Sequence, residues 1–392
     1  MEAAQQLGLV WRVSYEAPPH GAGGLCYHGG RERTLTAMTP TRHYNLALLG
    51  FGNVGRALAG LLGRKRDELR ERYGVEWTIT GVASRRLGWQ ADPAGLQLES
   101  LQAAAAAAVP RPDETIPVLP SIGPGAAGFQ EWLAASQANV LFENTSMNPH
   151  TGQPALDYLR SALDGGVHVV TANKGPVVHG YRELRDLAAQ KGVRFLFEAT
   201  VMGGAPLFSL FREALPAARL YRFRGILNST TNLIITEMER GNAFEQAVKK
   251  AQGLGIAESD PSFDVDGWDA AVKVSALATV LMDTPTLPAQ VERQGIEAFT
   301  PALVREAREE GRRWKLICQA ERGEAGVRTK VAPQLLTPDD PLYAVMGTSS
   351  SITFVSDVLG PLTVTEDNAG PETTAYGLLA DFIHAVGTKP ER

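Results

Sequence analysis

The segment Asn45–Leu62 reads NLALLGFGNVGRALAGLL. Its first half is an apolar run of strand length; from Gly55 to about Arg72 the chain continues at helical spacing with a charged second half. Between the two, Gly50-Phe51-Gly52-Asn53-Val54-Gly55 satisfies G-x-G-x-x-G. Strand, turn and helix are the setting in which that spacing holds a dinucleotide. The first glycine permits the turn, the second lets the backbone approach a pyrophosphate, and the third lets helix and strand pack closely. The free N–H groups of the helix start then face the phosphates. A purely structural glycine turn is the plainer alternative, and the flanking strand and helix favour the nucleotide.

Working outward, strands are expected at Trp77–Ser84, Asn139–Phe142 and Val167–Thr171, separated by helix-capable stretches. That alternation implies a parallel sheet with right-handed crossovers. The six alanines Ala103–Ala108, closed by Pro110 and Pro112, suit a short helix and a stop. Beyond about residue 175 the texture changes. Strands are expected at Arg194–Val201 and Leu220–Leu227, and helical patterns over 230–282 and 300–320. Near the C-terminus, Ser351–Val358 reads as a strand and Pro371–Val386 as a helix returning to the first domain. The fold class is therefore α/β: a Rossmann-like dinucleotide-binding domain over 42–178, completed by about 355–392, plus an α+β catalytic and dimerisation domain over 179–354. Residues 1–41 mix Gly, Pro, Arg and His without periodicity and read as a poorly ordered extension.

A chain of 392 residues with 44% hydrophobic and 21% charged residues suits two globular domains, and a net charge of −5 offers no footprint for nucleic acid or anionic membrane. No apolar run reaches membrane-span length, and a small-molecule partner is expected. Only Cys26 and Cys318 occur, too few for a disulfide framework, which suits a cytoplasmic protein. The seven histidines show no zinc-ligand spacing. At the end of the second strand stands Ser84-Arg85-Arg86, with no acid to hold the ribose hydroxyls of NAD. NADP is favoured, NAD remaining open, and two solvated loop arginines are the plainer reading.

The segment Asp260–Lys273, DPSFDVDGWDAAVK, gathers acids ahead of a lysine. A helix beginning near Gly267 places Asp269 and Lys273 on one face, one turn apart, beside an apolar stripe from Ala270 to Leu281. On spacing alone an exposed ion pair worth a few tenths of a kcal/mol is the simplest reading.

Together with Ala251–Asp260 (AQGLGIAESD), this segment resembles the signature of homoserine dehydrogenases. Asn144-Thr145-Ser146, Thr171–Gly175, Glu198–Val201, Gly203–Pro206 and Gly225–Asn232 are similar to that family's other blocks, in order, so the resemblance covers about residues 44–386. It implies NAD(P)-dependent interconversion of L-aspartate 4-semialdehyde and L-homoserine, on the way to threonine, methionine and isoleucine. Lys273 is then the first candidate, and Lys174 the second, for the acid that protonates the developing alkoxide. Asp269 orients the ammonium or binds through water. Glu258 pairs with the substrate's amino group, with Asp264 and Thr230 in the same pocket. Thr145 and Ser146 line the nicotinamide side, and Gly370 contacts the cofactor. Glu198, Val201, Gly203 and Ala205 match a loop that holds a monovalent cation, Na+ or K+, largely through backbone carbonyls. A homodimer through the second domain's sheet is implied as well.

Two departures stand out. Ser229 replaces a usual glycine in a substrate loop, and Pro371 and Glu372 replace small residues after Gly370. Neither a kinase nor a C-terminal regulatory domain is expected, and so no feedback through one. Aspartate-semialdehyde dehydrogenase would need a cysteine nucleophile, but Cys26 lies in the extension and Cys318 in WKLICQA, which reads as an apolar core helix. A dinucleotide-binding sensor without catalysis would not need Lys273, Lys174, Asp269 and Glu258 together.

Overall fold

Leu46–Leu49 lose all or nearly all contact with water, as a central strand of a two-sided sheet must. The computed structural model describes residues 41–85, 87–107 and 126–387. The extension over 1–40, Cys26, Arg86 and the Pro110–Pro112 stop lie outside them. The first sheet has the order β3-β2-β1-β4-β5-β6. Its strands are β1 (Arg42–Leu49), β2 (Val75–Ser84), β3 (Gly88–Ala91), β4 (Val140–Glu143), β5 (His168–Thr171) and β6 (Phe195–Leu196). The pairs β1–β2, β1–β4, β4–β5 and β5–β6 are parallel, and only β3 runs antiparallel to β2. Chain order reverses between β1 and β4, so a crevice opens at their carboxyl ends, where α/β sheets bind ligands.

The expected strand at Arg194–Val201 shrinks to Phe195–Leu196 and joins this first sheet, with Glu198–Thr200 already turning as a 3-10 helix. The first sheet thus draws on residues beyond 178. The return of the chain is made by the helix Pro371–Val386 alone. Its Leu378, Leu379 and Phe382 are buried with Leu46, Leu48, Leu58 and Leu62 of β1 and the helix Asn53–Arg64. Phe382 meets Phe142 edge-on at 5.7 Å and Tyr44 at 6.3 Å. Burying such a ring is worth about 2–3 kcal/mol, enough to make this helix part of the first domain.

The second sheet has the order β12-β11-β7-β9-β10-β8. Its strands are β7 (Leu220–Ile226), β8 (Glu292–Arg293), β9 (Arg313–Gly323), β10 (Gly326–Leu336), β11 (Ser350–Ser356) and β12 (Leu362–Glu366). WKLICQA is thus part of β9, not a helix. Its apolar residues, interrupted by Lys315 and Gln319, fit either period, and pairing with β10 through a Gly323–Gly326 hairpin decides it. Leu316, Cys318 and Ala320 of β9, with Phe223 of β7, face the core shared with the helices Ser229–Glu239 and Trp268–Leu281. No helix among the described residues is long and apolar enough to cross a membrane.

Candidate active site

The dinucleotide turn behaves as its glycines require. Gly50 has φ +96°, and a Cβ on it would stand 2.5 Å from the Asn144 carbonyl oxygen. A Cβ on Gly55 would strike the Gly50 carbonyl at 2.4 Å, whereas one on Gly52 would meet nothing within 4 Å. The first and third glycines are thus demanded by the protein itself, and the second borders open space where a pyrophosphate fits. Gly52 caps the helix Asn53–Arg64, so that helix's free N–H groups share the space. Phe51 is buried, Val54 is partly buried, and Asn53 accepts a hydrogen bond from Arg56. A Cβ on Gly370, the residue capping Pro371–Val386, would likewise meet nothing within 4 Å.

Asp269 is the centre of the second half. Gly267, at φ +80°, lets the chain turn into the helix Trp268–Leu281, placing Asp269 and Lys273 one turn apart as the spacing predicts. The pair is not the exposed bridge of the simplest reading. Lys273 Nζ lies 3.0 Å from Asp269 Oδ2, and the two side chains are only 14% and 13% exposed. Lys174, first residue of the helix Lys174–Lys191, reaches the other carboxylate oxygen at 3.2 Å. Lys273 also donates to the Leu227 carbonyl at 2.6 Å. Asn228 donates from one amide nitrogen to Asp264 at 2.6 Å and Asp269 at 3.0 Å. Thr230 is buried against the Ile256 carbonyl. The sequence blocks around residues 174, 228, 264, 269 and 273 therefore meet in one cluster.

The electrostatics follow from burial and pairing. Burial alone would raise the Asp269 carboxyl, but the Lys273 and Lys174 ammonium groups outweigh it and hold it well below the usual carboxylate range. Burial likewise opposes the charge on Lys273, yet the Asp269 carboxylate lifts it above an ordinary lysine. Asp264 is pushed up by burial and by the neighbouring Asp269 charge. Cys318 is a free, buried thiol that burial pushes up to about 12, so it is no nucleophile.

The family model described as homoserine dehydrogenase matches residues 206–383, and that of the homoserine dehydrogenase NAD binding domain matches residues 50–198. An NAD(+)-dependent homoserine dehydrogenase of Pseudomonas canavaninivorans is 38% identical over 342 residues, 87% of this chain and 96% of the relative. The chain belongs to the homoserine dehydrogenase family. The solved homoserine dehydrogenase of Thiobacillus denitrificans matches with TM-score 0.73 at 30% identity, covering 88% of this chain and 74% of that one. A hyperthermophilic archaeal homoserine dehydrogenase in complex with NADPH matches with TM-score 0.70 at 29% identity, covering 88% and 98%. Members of the family are NAD(P)-dependent oxidoreductases acting on the CH–OH group of homoserine.

Not every expected residue joins the cluster. Glu258 is exposed in the loop before the helix Ser262–Val265, where Gln252 grips the carbonyls of residues 258 and 259 and leaves the glutamate side chain outside. Arg85 is exposed, and Ser84 accepts the Leu87 N–H. Ser146 is exposed, whereas Thr145 donates its N–H and hydroxyl to Glu143. In the Glu198–Ala205 loop the Glu198 carboxylate accepts the N–H groups of Phe208 and Ser209, and Ala205 donates to the Met202 carbonyl. The Gly203 carbonyl packs against Gly377, where a Cβ would stand 2.3 Å away. Val201 is buried.

Two buried side chains at the site escaped the sequence reading. Asn228 caps the helix Ser229–Glu239 by accepting the Thr231 N–H, and the same amide bridges the two aspartates. An asparagine ahead of Ser-Thr-Thr is a cap signal. Glu143 ends an otherwise apolar strand and is fully buried, an arrangement visible as one acid closing the run VLF.

Proposed function

We propose that the cleft between the dinucleotide turn and the Asp269 cluster interconverts L-homoserine and L-aspartate 4-semialdehyde. This step belongs to the supply of threonine, methionine and isoleucine in a cytoplasmic setting. The observation that carries the reading is the buried Lys174–Asp269–Lys273 pairing, beyond what a surface salt bridge needs. When bound, the nicotinamide supplies or accepts the hydride. Lys273 is the proton donor to the oxygen that gains charge as the aldehyde is reduced. Two of its donors have partners among the described residues, Leu227 and Asp269, which aim the amine and leave an N–H for substrate. Lys174, held from the opposite side by the same carboxylate, is the second candidate and grips the substrate oxygen. Asp269 and Asp264, with Thr230 and a Glu258 that swings inward, offer acceptors to the substrate's ammonium.

The cofactor is held at Gly50–Gly55, Thr145, Ser146, Lys174 and Gly370. The absence of an acid at Ser84-Arg85 favours NADP over NAD, against the NAD(+) of the Pseudomonas relative. The Glu198–Ala205 loop holds a monovalent cation, Na+ or K+. With the Glu198 side chain engaged, its ligands would be main-chain oxygens of Glu198, Val201, Gly203 and Ala205. A homodimer forms through the face of the second sheet turned away from the helices, where Gln319, Thr353 and Thr363 point outward.

The raised lysine sets the direction of the pH dependence. Reduction uses the ammonium, whereas oxidation needs the free amine, so homoserine oxidation rises with pH through the alkaline range. The test is homoserine-dependent formation of reduced nucleotide with NADP and NAD. Turnover with NADP ahead of NAD is expected. Silence with both, alongside measurable nucleotide binding, would point to a sensor.

A further inference from the structure

One buried carboxylate collects donors from the carboxyl ends of two neighbouring strands, β4 and β5. Glu143 Oε1 accepts the Thr145 N–H at 2.8 Å, the Thr145 hydroxyl, and the Asn173 side-chain amide at 3.3 Å. Its Oε2 accepts the Thr171 hydroxyl at 2.7 Å. No cation reaches it among the described residues, and burial pushes its carboxyl up. A buried acid held this way is expensive, and a residue of equal volume without oxygens would fill the strand end more cheaply. What the oxygens secure is geometry.

The loop on one side is Asn144–Ser146, whose Asn144 carbonyl lies where a side chain on Gly50 would be. On the other side Asn173 accepts the Gly175 N–H and so caps the helix that begins with Lys174, whose amine reaches Asp269. The four bonds therefore join the wall of the dinucleotide turn to the base of an active-site lysine.

We propose that Glu143 is a positioning residue for the hydride transfer, locking the Asn144–Ser146 loop and the Asn173 cap into one registration so that cofactor and lysine keep a fixed separation. It touches neither substrate nor cofactor, and the proposal rests on the functional reading above. Glutamine preserves the arrangement: its carbonyl accepts from Thr145 and Asn173. Its amide donates to the Thr171 oxygen, whose proton turns to the Glu143 backbone carbonyl 3.1 Å away.

Wild type, Glu143→Gln and Glu143→Ala are compared by NADPH fluorescence titration without substrate, by kcat and KM for homoserine, and by thermal unfolding. Glu143→Ala is expected to weaken NADPH binding about tenfold and to lower kcat about a hundredfold, as loosened reacting groups do. Glu143→Gln should stay within about threefold of wild type on both. If Glu143→Ala only lowers the melting temperature, or if Glu143→Gln is as impaired as Glu143→Ala, the proposal is overturned. Should Glu143→Ala not fold, Asn173→Ala cuts the lysine arm alone. A fall in kcat with NADPH binding weakened less than in Glu143→Ala supports the link, and unchanged kcat refutes it. Wild type silent toward homoserine would instead sink the functional reading, while the NADPH titration still decides whether Glu143 holds the cofactor loop.

Discussion

Asp269 and Asp381 are both buried carboxylates, and their surroundings give them opposite states. Asp269 sits between two ammonium groups and the Asn228 amide, and the ions hold it charged. Asp381, on the helix that closes the first domain, has the Glu198 N–H on one oxygen at 2.6 Å and no partner on the other among the described residues. Burial first, and the adjacent Glu198 carboxylate second, push it up to about 8. The difference shows where this fold keeps charge. Opposed ions are gathered around Asp269, where the proposed reaction brings a zwitterionic substrate and a developing alkoxide, while at the seam between helix and loop the carboxyl is pushed toward its neutral form.

Removing Asp269 should break this contrast most visibly. Asp269→Ala leaves two partly buried amines without their shared counter-ion. It is expected to lower kcat/KM for homoserine by about a thousandfold and stability by about 3–5 kcal/mol, read by steady-state kinetics and denaturant unfolding. A variant close to wild type in both would show that the cluster is not the hub.

At Asp381 the expected effect is on stability rather than turnover, with a definite sign. Its folded carboxyl titrates near 8 and the unfolded one near about 4, so the native state holds the extra proton between those values. Stability should fall as pH rises across that window, by at most about 1.4 kcal/mol per unit, and Asp381→Asn should flatten the slope. Urea midpoints measured between pH 5 and 8 test this. Parallel slopes in variant and wild type would mean that Asp381 is ionised like Asp269.

Local order was legible wherever it is written in neighbouring residues. The glycine turn and the helix after Gly267 follow from spacing and from glycine's access to positive φ, and the helix Pro371–Val386 from spacing alone. WKLICQA misled because its apolar residues, broken by Lys315 and Gln319, fit either period, so its strand partner decides, and β10 lies beyond it in the chain. Phe195–Leu196 misled because its sheet is chosen by tertiary pairing with β5. At the site, the Asp269–Lys273 pair was legible as a pair, but its burial was not, since burial depends on Lys174 arriving from a strand end about a hundred residues earlier. Glu143 was hidden for the same reason: two of its four donors come from Thr171 and Asn173, 28 and 30 residues away along the chain.

The proposed mechanism rests on the amine at position 273, and replacing it is the most direct trial. In one preparation each of wild type and Lys273→Ala, homoserine turnover and NADPH affinity are measured together. Turnover should fall by about two to four orders of magnitude while NADPH affinity stays within about threefold. Turnover near wild type, or an equal loss of nucleotide binding, would contradict Lys273 as the proton donor.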